Sequence, residues 1–202
     1  MKKSHFRVAI YGSARTKKDE MAYKLVYQLA KHLAKEGYDV VTGGGPGLMD
    51  AASRGYHDCK KPGHHSIGLA IKLPKEQRYA YHLDLKEDFN KFSKRLDKFN
   101  SISNVFVAAP GGVGTLLEIL YTWQLMQVHH TCNVPLILLG DMWQGLISWM
   151  KKEMLKKKLV NKEDFDNIYI AKNCKEAMDI INQAHSSLGN KDFCLNYNKY
   201  KV

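Results

Sequence analysis

Three times this chain runs from a short apolar stretch through glycine and into a helical pattern, and that rhythm restricts the fold more than any other feature. Arg7 to Tyr11 reads as a buried strand, broken by Gly12-Ser13-Ala14. From about Asp19 to Lys35 the apolar residues fall in pairs four apart: Met21/Ala22, Leu25/Val26, Leu29/Ala30 and Leu33/Ala34. That is one face of an amphipathic helix. Gly37 is placed to end it, and Tyr38 to Thr42 makes a second strand. Strand, helix, strand at this spacing is a βαβ unit, so the two strands should lie parallel.

The pattern continues to the far end. Gly43-Gly44-Gly45-Pro46-Gly47 opens a helix through Met49, Ala51 and Ala52, and Ser66 to Leu73 reads as a strand stopped by Pro74. Lys75 to Asp88 is polar and reads as a surface loop. A helix near Phe89 to Ser101 leads to a strand, Asn104 to Ala109, a glycine turn at Gly111 to Gly114 and a long helix from Thr115 to Val128. Pro135 to Leu139 (strand), Met142 to Lys156 (helix), Asn167 to Ile170 (strand) and Lys175 to Ala184 (helix) follow. The alternation predicts a single α/β domain over residues 1–185, a Rossmann-like doubly wound and mostly parallel sheet with helices on both faces. Residues 186–202 read as a polar, basic C-terminal tail.

Composition excludes some partners. No apolar run approaches the ~20 residues needed to span a bilayer. Arg7 interrupts the apolar stretch after the basic Met1-Lys2-Lys3 start, which is not the pattern of a secretory leader. A cytoplasmic protein without a membrane partner is therefore expected. Cys59, Cys132, Cys174 and Cys194 form no CxxC pair and are expected to be reduced thiols. The net charge of +11 draws anions of any kind, nucleotides and nucleic acid alike. Lys151, Lys152, Lys156, Lys157 and Lys158 read as a solvated helix face. The basic residues are scattered and carry no nucleic-acid-binding signature, so nucleic acid is not the expected partner.

The three glycine turns would share the carboxyl edge of the sheet, where such folds bind ligands. Glycine lets the backbone approach a phosphate, and a following helix offers free N–H groups and a positive dipole end. Neither GxxxxGK[ST] nor an intact GxGxxG is present, because Asp50 stands where the latter needs glycine or alanine. Between Val105 and Gly140 the one Asp, Glu, Lys or Arg residue is Glu118. Its neighbours Leu116, Leu117, Ile119, Leu120, Trp123, Leu125 and Met126 make a helix apolar on most sides, buried in the domain or between subunits. A carboxylate there needs a partner or a purpose. His64-His65 and His129-His130 are chain neighbours that do not converge on one metal easily, so no functional metal is expected. Trp123, Trp143, Trp149 and the methionines read as core or interface.

Pro110-Gly111-Gly112-Val113-Gly114-Thr115-Leu116-Leu117-Glu118 matches PGGxGTxxE, and by this the chain resembles the LOG (Lonely Guy) family. That family's best-known members are cytokinin riboside 5′-monophosphate phosphoribohydrolases. Gly43 to Met49 is similar to a second family block, GGGxxGLM, with one residue fewer before the last glycine, and Gly12-Ser13 resembles the first block. The resemblance runs from about Val8 to Ala184. It implies that Arg95, in Phe92-Ser93-Lys94-Arg95, works with Glu118 as the catalytic pair. Leu96 stands where the family usually has lysine, with Lys94 and Lys98 as its nearest basic neighbours. The resemblance further implies a nucleoside 5′-monophosphate substrate, AMP or a cytokinin riboside 5′-monophosphate, cut to free base and ribose 5-phosphate. The substrate would be held by Gly12, Ser13, Gly43, Gly44, Gly45, Gly47, Met49 and Pro110 to Thr115. No redox or pyridoxal phosphate cofactor is expected, and no lysine stands out as a Schiff-base former. A homodimer or higher homo-oligomer is implied as well. The rival expectation is a sensor of the same fold that holds a nucleotide without cutting it.

Overall fold

The computed structural model describes residues 5–72 and 79–187. Its strands are β1 (Arg7–Tyr11), β2 (Asp39–Thr42), β3 (Ser66–Ile71), β4 (Leu85–Phe89), β5 (Val105–Ala108), β6 (Leu136–Leu139) and β7 (Ile168–Ala171). Its helices are α1 (Met21–Glu36), α2 (Leu48–His57), α3 (Phe92–Ile102), α4 (Val113–Gln127), α5 (Gln144–Met150) and α6 (Cys174–Ser187). The strands form one sheet in the order β4-β3-β2-β1-β5-β6-β7, and every pairing is parallel. The chain builds outward from β1 to β4, then returns to place β5 on the other side of β1. That reversal opens a crevice beyond the carboxyl ends of β1 and β5.

Central strands are buried on both faces, which is why they read as continuous apolar runs. Alternate residues divide between two cores. Val8, Ile10, Val40, Val105, Val107, Ile137 and Leu139 pack under α1, α2 and α6. Ala9, Tyr11, Val41, Phe106, Ala108, Leu136 and Leu138 pack under α3, α4 and α5. On α1 the buried stripe is Tyr23, Val26, Leu29, Ala30, Leu33 and Ala34, while Met21, at the helix start, is exposed. Gly37 takes φ +80° and closes α1 in a left-handed cap.

The structure corrects the sequence reading in several places. The expected loop from Lys75 to Asp88 ends in β4, an edge strand whose side chains are mostly exposed. Its backbone pairs with β3 from Ile67↔Leu85 to Ile71↔Phe89, so it needs no apolar pattern. Strand β3 stops at Ile71; of the rest of its expected span, Lys72 lies beyond the strand and Leu73 lies outside the described residues. The helix expected from Met142 to Lys156 divides into a 3₁₀ turn (Asp141–Trp143), α5 and a π-helical turn (Lys151–Leu155). Helix α6 carries the fold to Ser187, two residues past the expected domain end, and residues 188–202 of the expected tail lie outside the described part. Cys59 and Cys174 are free, as expected, whereas Cys132, in the partly exposed loop after α4, is disulfide-bonded. Among the described residues no helix is long and apolar enough to cross a membrane.

Gly55 decides how closely α2 approaches α1, because a Cβ there would overlap the Tyr27 carbonyl. The residue is buried mid-helix, so the backbones themselves must separate to admit a methyl group. Gly55→Ala should destabilise the protein by about 1–3 kcal/mol in urea denaturation. Gly145→Ala, at a helical position with open space around it, should stabilise by about 0.5–1 kcal/mol. Equal effects of the two changes would contradict this packing.

Candidate active site

The three glycine turns are joined to one another by main-chain hydrogen bonds. Ser13 N–H donates to the Pro110 carbonyl at 3.1 Å, and Leu48 N–H donates to the Ser13 carbonyl at 2.9 Å. Ser13 thus ties the turn after β1 to those after β2 and β5. Close approach explains the glycines. A Cβ on Gly12 would stand 2.9 Å from Leu48 Cδ1. One on Gly47, whose φ is +67°, would collide with the Ser13 carbonyl. A Cβ on Gly111 would collide with the Thr115 side chain, which is buried. Gly112 and Gly114 face open space. Gly112 is the N-cap of α4 and no side chain caps that helix end, so its first-turn N–H groups are left to an external acceptor.

Beneath the turns lies a buried ion pair. Arg95 Nη2 donates to Glu118 Oε1 at 3.0 Å, and each residue is 8% exposed. Arg95 Nε donates to the Leu69 carbonyl at 2.7 Å. Its guanidinium lies 5.2 Å from the centroid of Phe99, which meets Tyr11 edge-on. A Cβ on Gly43 would stand 2.5 Å from Arg95 Nη2 and 2.7 Å from Met49 Sδ. Gly43, Met49, Arg95 and Glu118 therefore meet at one place, brought from β2, α2, α3 and α4. Burial pushes the Glu118 carboxyl up to about 7 against the lowering effect of Arg95. Such a group changes protonation near neutrality, which suits proton transfer.

The basic neighbours of Leu96 do not join this pair. Leu96 is buried. Lys98 Nζ lies 3.6 Å from Glu87 Oε2. Lys94 lines a cavity of about 440 Å³ with Phe89, Leu125 and Thr131, beside the far end of α4. That cavity contains neither Arg95 nor Glu118. Trp123 and Trp143 are core residues, and Trp149 is exposed.

Sequence reasoning missed three supports of the site. Tyr11, at the carboxyl end of β1, lies 3.3 Å by its hydroxyl from Thr122 Oγ1. Burial and then the nearby Glu118 hold that phenol protonated. Asp50, which only broke a glycine motif in the sequence, accepts from Tyr23 Oη at 2.9 Å and Arg54 Nε at 2.7 Å. Residues 79–84 reach the second turn: Ala80 N–H donates to the Gly44 carbonyl at 2.8 Å, and Leu83 Cδ1 lies 3.4 Å from where a Gly44 Cβ would be. The glycine at 44 was a signal that something approaches, but not of what.

The chain is similar to known proteins in sequence and in fold. A family model described as "possible lysine decarboxylase" matches residues 49–181. The chain is 32% identical over 152 residues to a rice (Oryza sativa subsp. japonica) protein named "Probable cytokinin riboside 5′-monophosphate phosphoribohydrolase LOGL5", a match covering 72% of this chain and 59% of that one. It is 31% identical over 159 residues to the Arabidopsis thaliana "Cytokinin riboside 5′-monophosphate phosphoribohydrolase LOG3", covering 75% and 71%. Among solved structures, the molybdenum cofactor binding protein of Rippkaea orientalis has a TM-score of 0.68 at 19% identity, with 91% of this chain and 98% of that one covered. At that identity the likeness is one of fold.

The buried pair has a pH signature. The folded pKa of Glu118 lies above its unfolded value, so its contribution to stability is full below the unfolded pKa and is lost as pH rises through about 7. Arg95→Ala removes the influence that lowers this pKa and leaves a lone buried carboxyl. The variant should lose about 3–5 kcal/mol at alkaline pH and markedly less below neutrality, where Glu118 is protonated. Arg95→Ala combined with Glu118→Gln should recover most of the alkaline loss. Thermal unfolding across that pH range is the measurement, and a pH-independent loss would contradict the assignment.

Proposed function

The chain belongs to the LOG family, whose model carries the description "possible lysine decarboxylase", and from that premise we propose that it hydrolyses the N-glycosidic bond of a nucleoside 5′-monophosphate. The observation that carries the reading is the buried Arg95–Glu118 pair set beneath three joined glycine turns. The substrate is AMP or a cytokinin riboside 5′-monophosphate, and the products are free base and ribose 5-phosphate. Among the described residues, the side chains that meet at the pair are an arginine, a glutamate and a methionine, with no lysine amine among them to form a Schiff base. This favours glycoside hydrolysis over amino-acid decarboxylation.

The 5′-phosphate sits at the start of α4 on the backbone N–H groups of Gly112 to Thr115, where the helix dipole favours an anion. The ribose lies over Gly43 to Gly45 and the base turns toward Met49. As the bond from C1′ to the base nitrogen breaks, its electron pair leaves with the base and positive charge grows on the ribose. The Glu118 carboxylate stabilises that charge and holds the ribose hydroxyls. It also takes a proton from the water whose oxygen bonds to C1′. The departing base gains a proton from solvent, and Glu118 releases the proton it took, which restores the carboxylate. Arg95 fixes the carboxylate through their charge-assisted hydrogen bond and orders the ribose and phosphate.

A second copy of the chain would complete the site's surroundings. Val113, Leu117 and Leu120 are exposed apolar residues on one stripe of α4, spaced i, i+4 and i+7 around Glu118. A homodimer that buries this stripe would shield the pair from water.

Purified protein incubated with a panel of nucleoside monophosphates should release free base and ribose 5-phosphate. Glu118→Gln should lower kcat by roughly 10²–10⁴ while still binding nucleotide, and Arg95→Ala should weaken both binding and rate. Because Glu118 must be ionised to accept the proton, kcat/KM should fall tenfold per pH unit below about 7. Nucleotide bound but intact after long incubation would replace this reading with that of a non-catalytic sensor. Leu117→Glu should convert a dimer to monomer in sedimentation; a wild type that is monomeric at micromolar concentration would exclude the dimer.

A further inference from the structure

The opposite edge of the sheet carries a second cluster that the proposed reaction does not use. Strands β3, β2 and β1 are neighbours there, and each brings one residue from its entry point. His5 precedes β1, Asp39 is the first residue of β2 and His64 lies two residues before β3. Asp39 is 1% exposed. His5 Nδ1 is 3.0 Å from its Oδ2, and His64 Nδ1 is 3.4 Å from its Oδ1. The three donor atoms all lie within 4.8 Å of one another. We propose that His5, Asp39 and His64 bind a divalent transition-metal ion, zinc being the best match.

Four observations support the site. The donor set, two imidazoles and a carboxylate, suits zinc and leaves a fourth position for water. Ligand atoms at about 2.0–2.1 Å from a tetrahedral ion stand about 3.4 Å apart, and each His Nδ1 is already near that distance from one oxygen of the Asp39 carboxylate. Among the described residues neither His Nδ1 has a hydrogen-bond partner, although both atoms are shut off from solvent and close to the carboxylate. His5 Nδ1 is within hydrogen-bonding distance of Asp39 yet makes no hydrogen bond, so it approaches off the line that an N–H donor requires, whereas a shared ion needs no such line. Lastly, the surroundings hold the ligands in place. The His65 N–H donates to Asp39 Oδ1 at 2.9 Å, the kind of support that orients a ligating carboxylate. A Cβ on Gly37 would stand 3.3 Å from His64 Nε2, so the glycine cap of α1 leaves room for that ring.

Arg7 competes for the same charge, with Nε 3.6 Å from Asp39 Oδ2. Its side chain is one-third exposed and its Nε makes no hydrogen bond, so it can withdraw toward solvent when an ion enters. The ion would tie the start of the chain to the entries of β2 and β3. Its role is structural, because these residues sit at the amino ends of the strands while the glycine turns sit at the carboxyl ends.

The test uses the full chain without an affinity tag, treated with chelator and then titrated with Co(II). One equivalent of Co(II) should bind per chain with the visible absorption of a tetrahedral site, and Zn(II) should displace it. Zn(II) should also raise the midpoint of thermal unfolding. His64→Gln and His5→Gln should each weaken binding at least tenfold, with the wild-type circular dichroism spectrum confirming that each variant is folded. Absence of stoichiometric uptake would overturn the proposal, as would uptake that both variants retain, which would assign the ion to other side chains.

Discussion

Every strand in this sheet runs the same way, and that single constraint organises the rest of the molecule. Parallel neighbours cannot be joined by a tight turn, so the chain must cross from one end of the sheet to the other between strands. Helices carry most of these crossings and cover both faces, which makes the central strands apolar throughout. The turns that leave the strands all gather at one edge. Where the strand order reverses, at β1 and β5, the turns diverge and leave a crevice. Ser13 bridges its walls through main-chain bonds to Pro110 and Leu48, so the turns hold one another in place.

The Arg95–Glu118 pair exists because helices from different parts of the chain meet under that crevice. Removing two charges from water is costly unless other bonds compensate. Here Arg95 is also bonded to the Leu69 carbonyl and lies over the Phe99 ring. The arginine is thereby more completely held than the glutamate. The difference matters chemically: the fixed member is permanently charged, and the less constrained member has a pKa near neutrality.

The parts of the fold that bury apolar side chains in a regular rhythm were legible in the sequence. The continuous apolar runs of β1, β2, β5 and β6 and the stripe on α1 are direct records of packing. Strand β4 left no such record, since Leu85-Lys86-Glu87-Asp88-Phe89 gains its place from backbone pairing and exposes its side chains. The π-helical turn after α5 is a backbone adjustment inside an otherwise helical pattern, so composition does not mark it. In the candidate site, Glu118 announced itself as the lone charge in an apolar segment. Arg95 came from family resemblance, because a single arginine on a polar helix looks like any surface residue until its burial is seen. Tyr11 and Asp50 were hidden for a related reason. Their partners Thr122 and Tyr23 are brought near only by the tertiary fold, although Arg54 meets Asp50 one turn along α2. The His5–Asp39–His64 cluster likewise has no spacing that could reveal it.

The open start of α4 has a consequence for how proteins of this plan can diverge. Gly112 caps that helix without a side chain, so the groups presented to an anion are main-chain amides, which every residue except proline carries. Substitution can therefore do little to change them, and if the ligand is the nucleotide proposed above, its phosphate site becomes an inherited constant. Discrimination between bases would then fall to other residues, such as Met49 and residues 79–84, which reach the second turn. A scaffold divided in this way could acquire a new preference through a few side chains while its grip on the common part of the ligand stays the same.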